Sequence, residues 1–126
     1  MKEVLMYFKE TDNKYRWDAD INGTEFELYI PKWRVPEIVP QEIKVSIYFP
    51  PYLPSVSRLT PDLALKDPDL CSTPIISKVQ RHSDHSKTIR YDPSEQNDPE
   101  IGSPYFPIQL LPEERIDSIV ICVQWL

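Results

Sequence analysis

Glycine is nearly missing from this chain, with two in 126 residues. Loops that cradle phosphates, such as GxGxxG and the P-loop, use several glycines for tight turns and close backbone approach. A loop of that kind is excluded, as is the GxSxG nucleophile elbow. Cysteine is equally scarce. Cys71 and Cys122 form no CxxC pair and are too few for a disulfide scaffold, so free thiols in a reducing compartment are expected. Cys122 lies within an apolar run and reads as buried. His82 and His85 are the only histidines. A serine or cysteine nucleophile would need one of them as its base, and nothing in the spacing places either near Ser118 or Cys122. No stretch approaches the roughly 20 apolar residues of a membrane helix. The opening segment, MKEVLMYFKETDNK, lacks the apolar centre of a secretion signal. A cytoplasmic protein without membrane contact is the expectation. Basic residues are also in deficit, 14 against 20 acidic ones, for a net charge of −6. Such a surface repels phosphate backbones and argues against nucleic acid as a partner.

Proline is what the chain has in excess, 14 residues spread without a repeat. Helix interiors reject proline, whereas loops and edge strands accept it. The composition therefore disfavours an all-helical fold, and the length suits one domain over residues 1–126. Alternation carries the rest. Lys14 to Ile30 reads as two strands joined by Asn22-Gly23, a strong type I′ hairpin signal. Folding about that turn sets Ala19 opposite Phe26, Trp17 opposite Leu28 and Tyr15 opposite Ile30. The other face then opposes Asp20 to Glu25 and Asp18 to Glu27. Facing like charges are unfavourable, so that face must be wet or must meet a cation.

Further strands are expected near residues 4–8, 43–49, 75–81, 87–91 and 118–126, with a proline-interrupted edge strand at 105–111. The 118–126 run is nearly all apolar, the pattern of a central strand covered on both faces. One short helix is expected at 61–66, capped by Thr60 and begun by Pro61. Another helical turn is expected at 112–115. The sum is an all-β fold, an antiparallel sandwich of about eight strands, with a closed barrel as the alternative.

Four constellations carry candidate chemistry. Tyr29, Trp33, Arg34, Tyr48 and Tyr52 combine aromatic and basic side chains, in proline-rich loops or on polar strand faces, and suit recognition of a protein or small ligand. The set could equally cap the core. His82, Asp84 and His85 offer imidazole and carboxylate for zinc, although such a polar run also reads as a plain turn. Asp92, Glu95, Asn97, Asp98 and Glu100 offer oxygens for calcium, with Asp67 and Asp69 in a second loop, but not at EF-hand spacing. The acidic hairpin face is a fourth candidate: solvated, docked on a basic partner or a neighbouring subunit, or holding paired carboxylates for acid–base work. The resulting expectation is a small intracellular, non-enzymatic interaction module with no cofactor, whose partner is another protein or a second copy of itself. The alternative is a calcium- or zinc-dependent binding domain or hydrolase using the 82–85 or 92–100 residues.

Overall fold

The computed structural model describes all 126 residues. Eight strands form a single antiparallel sheet in the order β3-β2-β1-β4-β8-β5-β6-β7. These are β1 (Lys2–Glu10), β2 (Tyr15–Ile21), β3 (Thr24–Ile30), β4 (Glu42–Tyr48), β5 (Ile75–Asp84), β6 (Thr88–Pro93), β7 (Tyr105–Pro107) and β8 (Ser118–Trp125). The sheet rolls until its two edge strands meet, and Phe26 of β3 and Phe106 of β7 bring their ring centroids to 5.5 Å. The all-antiparallel expectation holds. The strands lie in one rolled, nearly closed sheet, so the barrel alternative describes the closure better than two stacked layers.

Period-two patterning explains the core. Phe26, Leu28 and Ile30 of β3, Ile43, Val45 and Ile47 of β4, and Ile119, Ile121 and Val123 of β8 all point inward and are buried. The hairpin register is the one expected from the Asn22-Gly23 turn, with Trp17 opposite Leu28 and Asp18 opposite Glu27. Both turn residues have positive φ, 50° at Asn22 and 89° at Gly23, as a type I′ turn requires. Strand β8 sits at the centre between β4 and β5. Val120, on its outer face, is buried as well, which accounts for the unbroken apolar run.

The registers define two ends. Glu10 pairs with Tyr15 and Tyr15 with Ile30, which marks one end of the barrel. Lys2 pairs with Ile47, and the Asn22-Gly23 turn closes the other. The loops at the Ile30 end are bound to one another. Arg34 donates to Glu100, and Arg58 donates to the carbonyls of Asn97 and Asp98. The long connection from β4 to β5 carries helix α1 (Pro61–Lys66), whose Leu63 N–H is accepted by the Thr60 hydroxyl as expected. Ser57 N–H and Ser94 N–H then donate to the carbonyls of Ile76 and Lys78. They satisfy the stretch of β5 that β6 does not reach.

Three local expectations are corrected. Glu113 and Glu114 form a bend, and residues 112–115 make no helical turn. The edge strand at 105–111 lasts three residues and then becomes a 3₁₀ turn, Ile108–Leu110, because Pro107 ends the ladder. His82, Ser83 and Asp84 continue β5 through a bulge instead of forming a free loop.

Candidate binding groove

Two adjoining clefts follow β3 on the outside of the barrel. The first, of about 210 Å³, lies between Tyr29, Trp33 and the Asp98–Gly102 segment. The second, of about 440 Å³, is bounded by Glu25, Glu27, Tyr29 and Tyr105. Lys14, Tyr29 and Gly102 line both, so the clefts run into one another as one groove. Trp33 also borders a third hollow beside α1, of about 590 Å³, with Val35, Ala64 and the largely exposed Leu65.

Local structure places each wall. A 3₁₀ turn, Lys32–Arg34, follows Pro31 and lays the half-buried Trp33 across a small satellite core of Leu59, Ala64 and Cys71. The opposite wall is brought in by Gly102, whose N–H donates to the Tyr29 carbonyl at 2.8 Å. A Cβ on Gly102 would stand 3.3 Å from the Tyr29 Cβ. Any larger residue would push the strand back by a few tenths of an ångström.

Electrostatics divide the groove. The carboxylate oxygens of Asp18, Glu25 and Glu27 lie within 4.8 Å of one another. Arg16 grips Asp18 through two hydrogen bonds, of 2.8 and 3.0 Å, and stands 3.9 Å from Glu27. Tyr29 and Asp18 hold its guanidinium above the ordinary arginine value. The Tyr29 hydroxyl donates to Glu27 at 3.2 Å. The like-charged hairpin face has thus met one cation from within its own strand, while Glu25 has no ionic partner.

The aromatic and basic set expected from the sequence is divided. Tyr29 and Trp33 share the groove. Arg34 does not, since it is 1% exposed and paired with Glu100 at 2.7 Å. Its remaining donors satisfy the carbonyls of Cys71, Thr73 and Pro74, so Arg34 holds three loops together and is not available to a partner. Tyr48 ends β4 beside the Lys2–Ile47 pairing, at the opposite end of the barrel from Trp33. Tyr52 is exposed and lines neither the two clefts of the groove nor the hollow beside α1.

The metal-ligand candidates are not gathered either. Asp84 is taken by Arg81 at 2.9 Å, and His82 and His85 each contact the Ser83 hydroxyl, at 3.0 and 3.3 Å. Glu95 accepts the Asn97 N–H at 2.9 Å, and Asp98 turns the chain with φ 48°. Burial would raise the Asp92 carboxyl, but hydrogen bonds from Ser103 and Arg90 and the charges of Arg90 and His82 hold it below the ordinary range. Local ion pairs and turns have taken these groups individually. Sequence reasoning missed Lys14, Gly102 and Tyr105, which reach the groove only through long-range closure; the rarity of glycine was the one signal pointing to Gly102.

No helix in the structure is long and apolar enough to cross a membrane. No protein-family model, curated protein or solved structure matches the chain.

Proposed function

We propose that this protein is a non-enzymatic, cytoplasmic binding module that holds a protein partner in the groove between Trp33 and Tyr105. The observation that carries this reading is the continuity of the two clefts through Lys14, Tyr29 and Gly102. It gives an elongated surface with three aromatic side chains along it. Aromatic rings supply contact area at low entropic cost, and such side chains dominate protein recognition. Acid–base catalysis tunes carboxylates by burial, whereas Glu25 lies open to solvent and Glu27 is engaged by Tyr29 and Arg16. The groove therefore suits stacking and ion pairing.

The test places a photo-crosslinking residue at Tyr105, inside the groove, and at Asn22, at the far end. Specific adducts, with a partner or with a second copy of the chain, are expected from position 105 and not from position 22. Equal labelling from both positions, or none from Tyr105, would overturn the reading.

A further inference from the structure

We propose a second binding site on this chain, a cleft beside β5 that takes a small zwitterion, either a free amino acid or a short peptide. The ligand's ammonium rests on Glu100 and its carboxylate beside Lys78 and Arg58. The cleft holds about 290 Å³ and shares no lining residue with either cleft of the groove, so it goes beyond the groove reading.

The cleft exists because β5 is covered in two ways. Strand β6 pairs with β5 only from Val79 onward. Over the preceding residues two loop segments take its place. The Ser57 N–H donates to the Ile76 carbonyl at 3.1 Å, and the Ser94 N–H donates to the Lys78 carbonyl at 2.9 Å. Both segments line the cleft together with Ile76, Ser77 and Lys78. Arg58 ties one segment to the other through the carbonyls of Asn97 and Asp98. The walls are therefore held by bonds between distant parts of the chain.

Glu100 supplies the buried wall. It is 4% exposed, and its Oε1 accepts from Arg34 at 2.7 Å. Its Oε2 accepts from no donor in the chain. Every side-chain oxygen or nitrogen fully sealed from solvent does have a partner. The Oε2 atom is therefore not sealed, and Glu100 lines this cleft. A carboxylate oxygen in so dry a seat calls for an N–H donor, and a cationic donor makes the stronger bond.

Charge then narrows the ligand. Lys78 and Arg58 are exposed at the cleft and pair with no carboxylate. They repel a bare amine. Glu95 and the free oxygen of Glu100 repel a bare acid. A molecule carrying both charges satisfies both walls, which is selection by repulsion as well as attraction. The hydroxyls of Ser57, Ser77 and Ser94 can donate or accept beside either charge. Val56 and Ile76 offer apolar cover for a side chain.

The probe is L-leucine, with two partial analogues: isoamylamine, which lacks the carboxylate, and isocaproate, which lacks the amine. Leucyl-leucine, whose charges stand further apart, separates a peptide from a free amino acid. Titration of the whole chain is followed by amide NMR. At millimolar ligand, leucine or leucyl-leucine is expected to shift the amides of Ser57, Ser77, Lys78 and Ser94, and to bind about tenfold or more tighter than either analogue. Glu100→Gln must keep its carbonyl on Arg34, which has only donors, so its NH₂ replaces the free oxygen and opposes an ammonium. It is expected to weaken binding by about tenfold or more. Lys78→Met is expected to do the same and to remove the preference for leucine over isoamylamine. Lys78 is an exposed strand residue, so this variant decides the matter if Glu100→Gln proves too unstable. Lys66→Met, exposed on α1, is expected to leave binding unchanged and so controls for net charge.

No response to either zwitterion overturns the site. Equal binding of the amine alone or of the acid alone overturns the two-charge rule. Binding indifferent to Lys78→Met, or to a folded Glu100→Gln, overturns the assignment of the ligand to this cleft.

Discussion

Removing the Glu100 carboxylate tests what binds the loops that build the groove. Arg34 and Glu100 are 1% and 4% exposed, and Arg34 Nε donates to Glu100 Oε1 at 2.7 Å. Arg34 also satisfies three carbonyls, of Cys71, Thr73 and Pro74, at 2.8 to 3.2 Å. Glu100→Ala keeps those three bonds but leaves a buried cation without its counter-charge. Breaking one side of a buried pair costs about 3–5 kcal/mol. Glu100→Gln keeps an acceptor and loses only the charge assistance, so its cost is about 1–3 kcal/mol. Arg34→Met alone strands the carboxylate and costs about 3–5 kcal/mol by the same reasoning. The double variant, Arg34→Met with Glu100→Ala, removes both charges together. It then loses mainly the donors to the three carbonyls, and its cost falls well below the sum of the two singles. Urea unfolding followed by tryptophan fluorescence measures all four variants. A chain of this size shifts by about 4 °C in Tm per kcal/mol, so Glu100→Ala loses on the order of 10–20 °C. A loss below about 1 kcal/mol for Glu100→Ala, or strict additivity in the double variant, would refute the reasoning.

Trp17 is fully buried and its Nε1 donates to the Pro40 carbonyl at 3.0 Å; Trp17→Ala is expected to cost about 3–5 kcal/mol in chemical denaturation, with Trp17→Phe intermediate. A cost under about 1 kcal/mol for the alanine variant would mean that the aromatic cluster with Phe8, Tyr15 and Trp125 carries little of the core. Burial pushes the Tyr91 hydroxyl above its ordinary value of 10.0, with Arg81 opposing. A folded value above the unfolded one means stability that is whole below the unfolded pKa and is lost as pH rises through the folded one. Unfolding midpoints are therefore expected to fall steeply above about pH 10, and less steeply in Tyr91→Phe; an unchanged slope counts against this assignment. Burial also pushes the Cys71 thiol up, and its Sγ donates to the Trp33 carbonyl at 3.4 Å. A disulfide reagent is expected to label the half-buried Cys122 before Cys71, with Cys71 reacting only on unfolding. Prompt labelling of Cys71 in the folded protein would show that Trp33 does not seal the satellite core.

Most of the fold was legible because its cause is local. The Asn22-Gly23 turn fixes a register, and a register fixes which residues share a face. From that alone the Trp17–Leu28 and Asp18–Glu27 pairings follow, as the structure bears out. Thr60 and Pro61 marked α1 for the same reason, since a cap and a first-turn proline act within a few residues. Closure was not legible. Whether eight strands make one rolled sheet or two flat ones is decided by contacts such as Phe26 with Phe106, 80 positions apart in the sequence. Arg34 was misplaced by the same limit. Beside Lys32 and Trp33 it reads as one member of a surface cluster, and only the distant Glu100 turns it inward. Tyr48 and Trp33 were grouped by chemistry, yet antiparallel order sends them to opposite ends of the barrel.

The two scarce glycines and the many prolines turn out to describe the same boundary. Gly23 turns β2 back as β3 and so creates the edge. Gly102 lets the far wall touch that edge once, at Tyr29. Pro104 and Pro107 then shorten β7 to three residues and keep it from zipping onto β3. A longer β7 of ordinary residues would complete the barrel and bury the β3 backbone, as full closure does elsewhere. Natural edges are commonly protected by charge, and here Glu25 and Glu27 stand on the unpaired stretch itself. That charge opposes the approach of another acidic strand. The composition that excluded phosphate loops at the outset thus also shapes a half-open seam, and the seam is where the groove's aromatic rings and its free carboxylate lie side by side.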